Sequence, residues 1–213
     1  MTTCYDLPET TFPGMPKIPR WSRDLIITEK IDGTNGVIYV PDNDEAPVRF
    51  GSKSRWLHPG DDNHGFYAHM HPHSALLREL LGPGVHHGEW WGSGIQRGYG
   101  LPRGEKRFSL FNTTRWLTLG WDGGSGPVHR SRWEHPTLVS PPWLQCVPVL
   151  FYEVPNQADY IWDALAELSH VGSHAAPGFR NPEGIVIYHT ASGVSFKKTI
   201  FKDEAPKGQT GGA

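Results

Sequence analysis

An α+β domain, mainly antiparallel sheets flanked by a few helices, is the fold class predicted for this 213-residue chain. Three observations carry it. Short strand-like runs recur along the chain, and the first two are joined by the turn Asp32-Gly33-Thr34-Asn35-Gly36. Two stretches have helical spacing of their apolar residues. The composition, 37% hydrophobic with two cysteines, is that of one domain able to bury a core without disulfides or metal.

The elements follow in order. Residues 1–23, with Pro8, Pro13, Pro16 and Pro19, read as an extended lead-in packed on the surface. Leu25-Ile26-Ile27-Thr28 is strand-like, and Gly36-Val37-Ile38-Tyr39-Val40 returns after the turn, so Lys30 falls at a sharp, accessible bend. Val48-Arg49-Phe50 is a third short run. Residues 65–81 carry Leu76, Leu77, Leu80 and Leu81 at helical spacing, interrupted by Pro72. His87-Gly88-Glu89 ends a strand in a glycine-rich bend with Gly92 and Gly94. In Arg107-Phe108-Ser109-Leu110-Phe111-Asn112, strand alternation sets Ser109 and Phe111 on one face and Phe108 and Leu110 on the other. Residues 113–146, dense in Trp, Gly and Pro, resemble turns and short strands. Asn156 is expected to cap a second helix whose buried face is Ile161, Leu165 and Leu168. Two strands close the domain, Glu183-Gly184-Ile185-Val186-Ile187-Tyr188 and Val194-Ser195-Phe196-Lys197-Lys198. With no repeat and no linker, residues 1–202 are expected to be one domain and 203–213 a flexible tail.

The chemistry concentrates at Lys30-Ile31-Asp32-Gly33-Thr34. A lysine at a strand end can attack a nucleotide's α-phosphate, but its amine is a nucleophile only when neutral. Any single Lys-x-Asp-Gly is weak evidence, and the elements that follow strengthen it. Gly51-Ser52-Lys53-Ser54-Arg55 offers cations to a phosphate. Glu89 and Glu183 are carboxylates at strand ends, and magnesium is commonly held by one or two carboxylates plus substrate phosphates. Lys197 and Lys198 add cations, which with a metal disfavour a third positive charge on Lys30. One phenyl of the Phe108 and Phe111 pair can face a ligand base while the other packs inside.

Other readings are weaker. A net charge of −2 and a pI near 6.6 exclude a bulk electrostatic footprint for nucleic acid. Contacts to RNA must be local, with Arg97, Arg103, Lys106 and Arg107 as one candidate patch and Arg130 with Arg132 as another. The twelve histidines, including His69, His71, His73, His86 and His87, lack the accompanying pattern of a zinc site. Most of the nine tryptophans read as packing residues, with Trp90 and Trp91 set apart because they flank Glu89. No Gly-x-Ser-x-Gly of a serine hydrolase is present. Cys4 and Cys146 do not make a disulfide framework, and there is no signal peptide or long apolar run. A cytoplasmic protein without membrane attachment is the expectation.

The order Lys-x-Asp-Gly, Ser-x-Arg, Gly-Glu, Phe-x-x-Phe, Glu-Gly-x-Val-Ile and a lysine-ended strand resembles the polynucleotide ligase and mRNA-capping-enzyme superfamily of covalent nucleotidyltransferases. Thr28-Glu29-Lys30-Ile31-Asp32-Gly33-Thr34-Asn35 and Gly88-Glu89-Trp90-Trp91-Gly92-Ser93-Gly94-Ile95-Gln96 look most like the ATP-dependent RNA ligases of phage RNA repair and kinetoplastid RNA editing. The resemblance covers about residues 24–202. It implies an ATP-grasp-like nucleotidyltransferase domain with the nucleotide between sheets, using ATP with Mg2+ or Mn2+ to join RNA 5′-phosphate and 3′-hydroxyl ends or nicks. By the same resemblance Lys30 becomes lysyl-AMP, Asp32 orients Lys30 or the ribose, and Thr28, Glu29, Gly33 and Asn35 help to bind the nucleotide. Arg55 matches the arginine that contacts the nucleotide or a 3′-terminal sugar. Glu89 matches a ribose- or metal-linked carboxylate, Phe111 the ring stacked on adenine, and Glu183 the metal-linked glutamate. Lys197 or Lys198 matches the α-phosphate lysine; alternation leaves one of the adjacent pair facing away, and Lys198 is the favoured one. Asn112 stands where an aspartate is common. Only 199–213 follow the lysine strand, so no accessory C-terminal domain is expected, and a protein partner that holds the RNA is. The alternatives are a capping-type guanylyltransferase using GTP and a non-catalytic nucleotide- or RNA-binding module on the same fold.

Overall fold

The computed structural model describes residues 15–116, 140–201 and 203. In chain order the elements are β1 (Leu25–Lys30), β2 (Thr34–Val40), β3 (Arg49–Gly51), α1 (Phe66–Met70), α2 (Ser74–Leu81), β4 (Gly84–Gly92), β5 (Lys106–Leu110), α3 (Thr113–Trp116), β6 (Leu144–Cys146), β7 (Val149–Val154), α4 (Ala158–Val171), β8 (Gly184–His189) and β9 (Val194–Thr199). They form two sheets, ordered β7-β1-β8-β9 and β3-β2-β4-β5-β6. Every pairing is antiparallel except β5 with β6. The predicted α+β class is what the chain adopts.

Alternation decides what each sheet face meets. On β1, Leu25 and Ile27 turn toward α4 and pack with Ala164, Leu165, Leu168, Ile185 and Ile187. Ile26, Thr28 and Lys30 therefore face the other way. On β2, Ile38 and Val40 join Phe50, Phe66, Met70, Leu77 and Leu81 in a core beneath α1 and α2, with Phe108 and Leu110 beside them. Asn35, Val37 and Tyr39 take the opposite face. Burying a Leu, Ile or Phe side chain is worth roughly 1.5 to 3 kcal/mol, so these two cores hold each sheet's orientation firmly.

The leucine stripe of 65–81 forms, but in two pieces. Pro72 sits in a 3-10 turn, His71–His73, between α1 and α2, because proline lacks the N–H an uninterrupted helix would need there. Asn156 is not the cap expected of it. Gln157 holds the N-cap position of α4 with extended backbone and no side-chain cap bond, while Asn156 Nδ2 donates to Trp21 O at 2.7 Å. Trp90 and Trp91 are packing residues, both fully buried. Their indole N–H groups donate to His64 O and to Ser109 Oγ respectively. Cys146 is buried and its thiol is pushed up to about 12 by burial, while Cys4 lies outside the described residues. Residues 117–139, including Arg130 and Arg132, lie there too. Among the described residues no helix is long and apolar enough to cross a membrane.

Candidate active site

The two faces left open by the cores enclose a cavity of about 590 Å³. Ile26, Thr28 and Lys30 of β1, Val186 and Tyr188 of β8, and Ser195 of β9 form one wall. Asn35 of β2 and Val85, His87 and Glu89 of β4 form the other. Phe111, Asn112, Thr113, Arg115 and Trp116 close the end beyond β5. Phe111 is 43% exposed, unlike the fully buried Phe108 and Leu110, so its ring is available to a planar ligand. Asn112 Oδ1 accepts from the Arg115 N–H and starts α3, a structural use for the residue.

Lys30 ends β1 opposite Gly184, which places it beside the residue before β8, Glu183. Lys30 Nζ donates to Glu183 Oε2 at 2.5 Å, with side-chain exposures of 17% and 6%. Gly184 has a positive φ of 156°, and a Cβ there would fall 2.2 Å from Lys198 O, so only glycine lets the chain turn from Glu183 into the strand.

The turn after Lys30 is held from three sides. Glu89 Oε1 accepts the Gly33 N–H at 2.9 Å and Oε2 accepts from Asn35 Nδ2 at 3.3 Å. A Cβ at Gly33 would lie 2.4 Å from Trp90 O, so the turn presses directly on β4. The Asp32 N–H donates to the Tyr99 hydroxyl at 2.7 Å, and burial pushes that hydroxyl's pKa up, keeping it neutral. Arg97 Nε donates to Asp32 Oδ2 at 3.0 Å, while Arg97 Nη1 donates to Asn181 O at 3.0 Å and Asn181 Oδ1 at 2.9 Å. Arg97 thus joins the turn after Lys30 to the segment that delivers Glu183. Sequence reading missed both Arg97 and Tyr99 as site organisers. Their partners are 65 and 67 residues away, and no local pattern marks such pairs.

Several expected site residues are placed differently. Alternation turns Glu29 toward α4, where Ser173 Oγ donates to its carboxylate at 2.6 Å and the His174 and Ala175 N–H groups at 2.8 and 2.9 Å. Burial raises its pKa against those bonds. Lys197 pairs with Val186 and Lys198 with Ile185, and directly opposite residues of an antiparallel pair share a face. Lys197 is therefore on the cavity face. Lys198 is on the α4 face, over the Trp162 ring and donating to Asp203 Oδ2 at 3.0 Å, which reverses the preference for Lys198. Arg55 does not line the cavity but pairs with Asp61 at 3.0 Å in solvent. Of the basic patch, Arg97 is spent on Asp32, Arg107 on Glu105, and Lys106 on His64 O.

Magnesium and manganese take oxygen ligands, often one or two carboxylates completed by substrate phosphates. Glu183 supplies such oxygens beside Lys30, and Glu89 supplies them beside the turn that follows it. Among the described residues no three His, Cys, Asp or Glu side chains form a metal cage. That donor set fits an ion that arrives with a polyphosphate.

The RNA ligase family model matches residues 23–202. Among solved structures the chain resembles a Naegleria gruberi RNA ligase mutant with ATP and Mn, at TM-score 0.53 and 16% identity over 84% of this chain and 50% of that one. It also resembles a mutant of the same ligase with AMP and Mn, at TM-score 0.51 and 18% identity over 83% and 49%. At these identities the likeness is one of fold. The chain spans about half the length of those ligases. No curated protein matches it.

Proposed function

Because the chain belongs to the RNA ligase family, we propose that it is an ATP-dependent RNA ligase, with an adenylyltransferase domain over residues 1–202, that joins RNA 5′-phosphate and 3′-hydroxyl ends through lysyl-AMP. One observation carries the reading most: Lys30, in the wall of a nucleotide-sized cavity, has its Nζ 2.5 Å from the buried Glu183 carboxylate. The related structures with ATP or AMP and Mn support the choice of nucleotide and metal.

In the first step Lys30 Nζ attacks the α-phosphorus of ATP, the N–P bond forms and the bond to pyrophosphate breaks. The amine must shed a proton to do so, and Glu183 is the adjacent base. In the second step the RNA 5′-phosphate attacks the same phosphorus and the N–P bond breaks. A 3′-hydroxyl then attacks the activated 5′-phosphorus and AMP leaves. Each step is an in-line displacement, so the protein contributes position and charge neutralisation. Lys197, on the face of Val186, adds positive charge toward the phosphates. Phe111 offers the base a ring, and Glu89 keeps the Asp32-Gly33 turn in place. Glu183 and Glu89 would hold a divalent cation, whose contribution is to neutralise charge on the transferring phosphoryl group. Joining broken RNA, as in RNA repair, is the cellular use this reading supports.

The test is incubation with radiolabelled ATP or GTP and magnesium, followed by intact mass and peptide mapping. One AMP on Lys30, absent from Lys30→Ala, is expected. Labelling by GTP alone, or equal labelling of the Lys30→Ala variant, overturns the reading.

A further inference from the structure

The cavity wall contributed by the β2 sheet does not stop at the cavity. Asn35 opposes Glu89, Val37 opposes His87 on one side and Gly51 on the other, and Tyr39 opposes Val85 and Arg49. All lie on the face that turns away from α1 and α2. The row starts at cavity-lining Val85 and His87 and reaches Arg49 two strand spacings away, about 10 Å, with Trp56 one bridge further out. Trp56 bridges back to Gly51, and its ring meets Tyr39 at 6.3 Å between centroids. The Arg49 guanidinium stacks over Trp56 at 4.2 Å. Trp56 is 44% exposed, and α1 and α2 pack on the opposite face of this sheet.

Glu89 lies at the cavity end of this face, and the exposed charges at its β3 end are Arg49 and, in the turn after β3, Lys53. Neither of these two cations pairs with a carboxylate among the described residues. The nearby acids are already used. Asp61 pairs with Arg55, and Asp62 accepts the Tyr67 and Ala68 N–H groups at the start of α1. The acidic turn of Asp42, Asp44 and Glu45 is drawn to the helix side, where Arg78 of α2 donates to Pro41 O at 3.0 Å and also to Ala46 O. What remains is an aromatic and cationic strip continuous with the nucleotide cavity.

Resting on the ligase reading above, we propose that Tyr39, Arg49 and Trp56 form a platform for single-stranded RNA, with a base stacked on the Trp56–Tyr39 aromatic pair and Arg49 and Lys53 facing its phosphates. A stacked aromatic with adjacent cations is how single strands are gripped without sequence preference, since every base has a π-face. The strip leads the strand toward Lys30.

The experiment measures binding of a 5′-phosphorylated single-stranded oligoribonucleotide, over a salt series, to the full chain and its Trp56→Ala, Trp56→Phe and Arg49→Gln variants, with lysyl-AMP formation as the control for folding. Trp56→Ala should weaken RNA binding about fivefold to a hundredfold. Trp56→Phe should restore most of it. Arg49→Gln should flatten the dependence of log affinity on log salt by about 0.7, one single-strand phosphate contact. RNA affinity of Trp56→Ala within twofold of the parent, or an unchanged salt slope for Arg49→Gln, overturns the platform. So does a change of oligomeric state in Trp56→Ala, which would make this face a protein interface. If Trp56→Ala also loses labelling, the phenylalanine variant and the Arg49 slope decide. A parent that forms no lysyl-AMP sinks the ligase reading, whereas a labelled parent indifferent to Trp56 and Arg49 sinks only the platform.

Discussion

Two ion pairs of similar length behave as different kinds of object. Arg55 and Asp61 are six residues apart, meet at 3.0 Å and have side chains 48% and 41% exposed. Lys30 and Glu183 are 153 residues apart, meet at 2.5 Å and are nearly covered. The first pair is screened by water and salt, and such pairs add little to stability. The second forms only when β1 and β8 pair, and burial leaves each charge dependent on the other. Enclosure between two sheets, and not the ionic contact, is what sets this lysine and glutamate apart.

The strongest way to break that comparison is Lys30→Arg, which keeps a cation for Glu183 but removes the proposed nucleophile. Loss of all nucleotide labelling with a near-parental melting temperature is the expected outcome. Labelling that survives would show that the pair is structural only. Next in size is the contrast between adjacent lysines. Lys197→Ala should slow single-turnover lysyl-AMP formation by about tenfold to a hundredfold, while Lys198→Ala, on the α4 face, should change it less than about threefold. The reverse order would mean that the β8–β9 register is shifted by one residue.

A smaller effect is expected at Glu29. Glu29→Ala would strand two buried N–H groups and a serine hydroxyl at a cost of about 1 to 3 kcal/mol, read by denaturant unfolding. Glu29→Gln can keep accepting from the backbone and should cost less. The sign with pH follows from the carboxyl being raised by burial: its stabilising contribution is whole at acid pH and is lost as pH rises through the raised value. The glutamine variant should therefore compare better with the parent at pH 7 than at pH 4. A constant difference across that range removes Glu29 ionisation from the account. The smallest effect belongs to the exposed pair. Arg55→Gln and Asp61→Asn should leave the melting temperature nearly unchanged, and a clear loss would mean that the loop after β3 matters to the fold as β1 and β8 do.

Local pattern in the sequence determined much of this protein. The strands around Lys30, the turn that needs Gly33, the leucine stripe of α2 and the Glu-Gly that opens β8 follow from neighbouring residues, because periodicity and glycine's freedom act over a few positions. Which face of a strand becomes the site is not local. Lys197 and Lys198 are chemically the same, and the packing of α4 on Ile185 and Ile187 leaves one on the cavity face and sets the other over Trp162. The same packing turns Glu29 away from the cavity while leaving Lys30 within it. Arg97 reads as a surface cation until the fold sets Asp32 and Asn181 on either side of it. Trp90 and Trp91, next to Glu89 in sequence, are buried because β4 runs through the middle of its sheet. Alternation offers two faces to every strand, and tertiary packing covers one of them, leaving the other for chemistry.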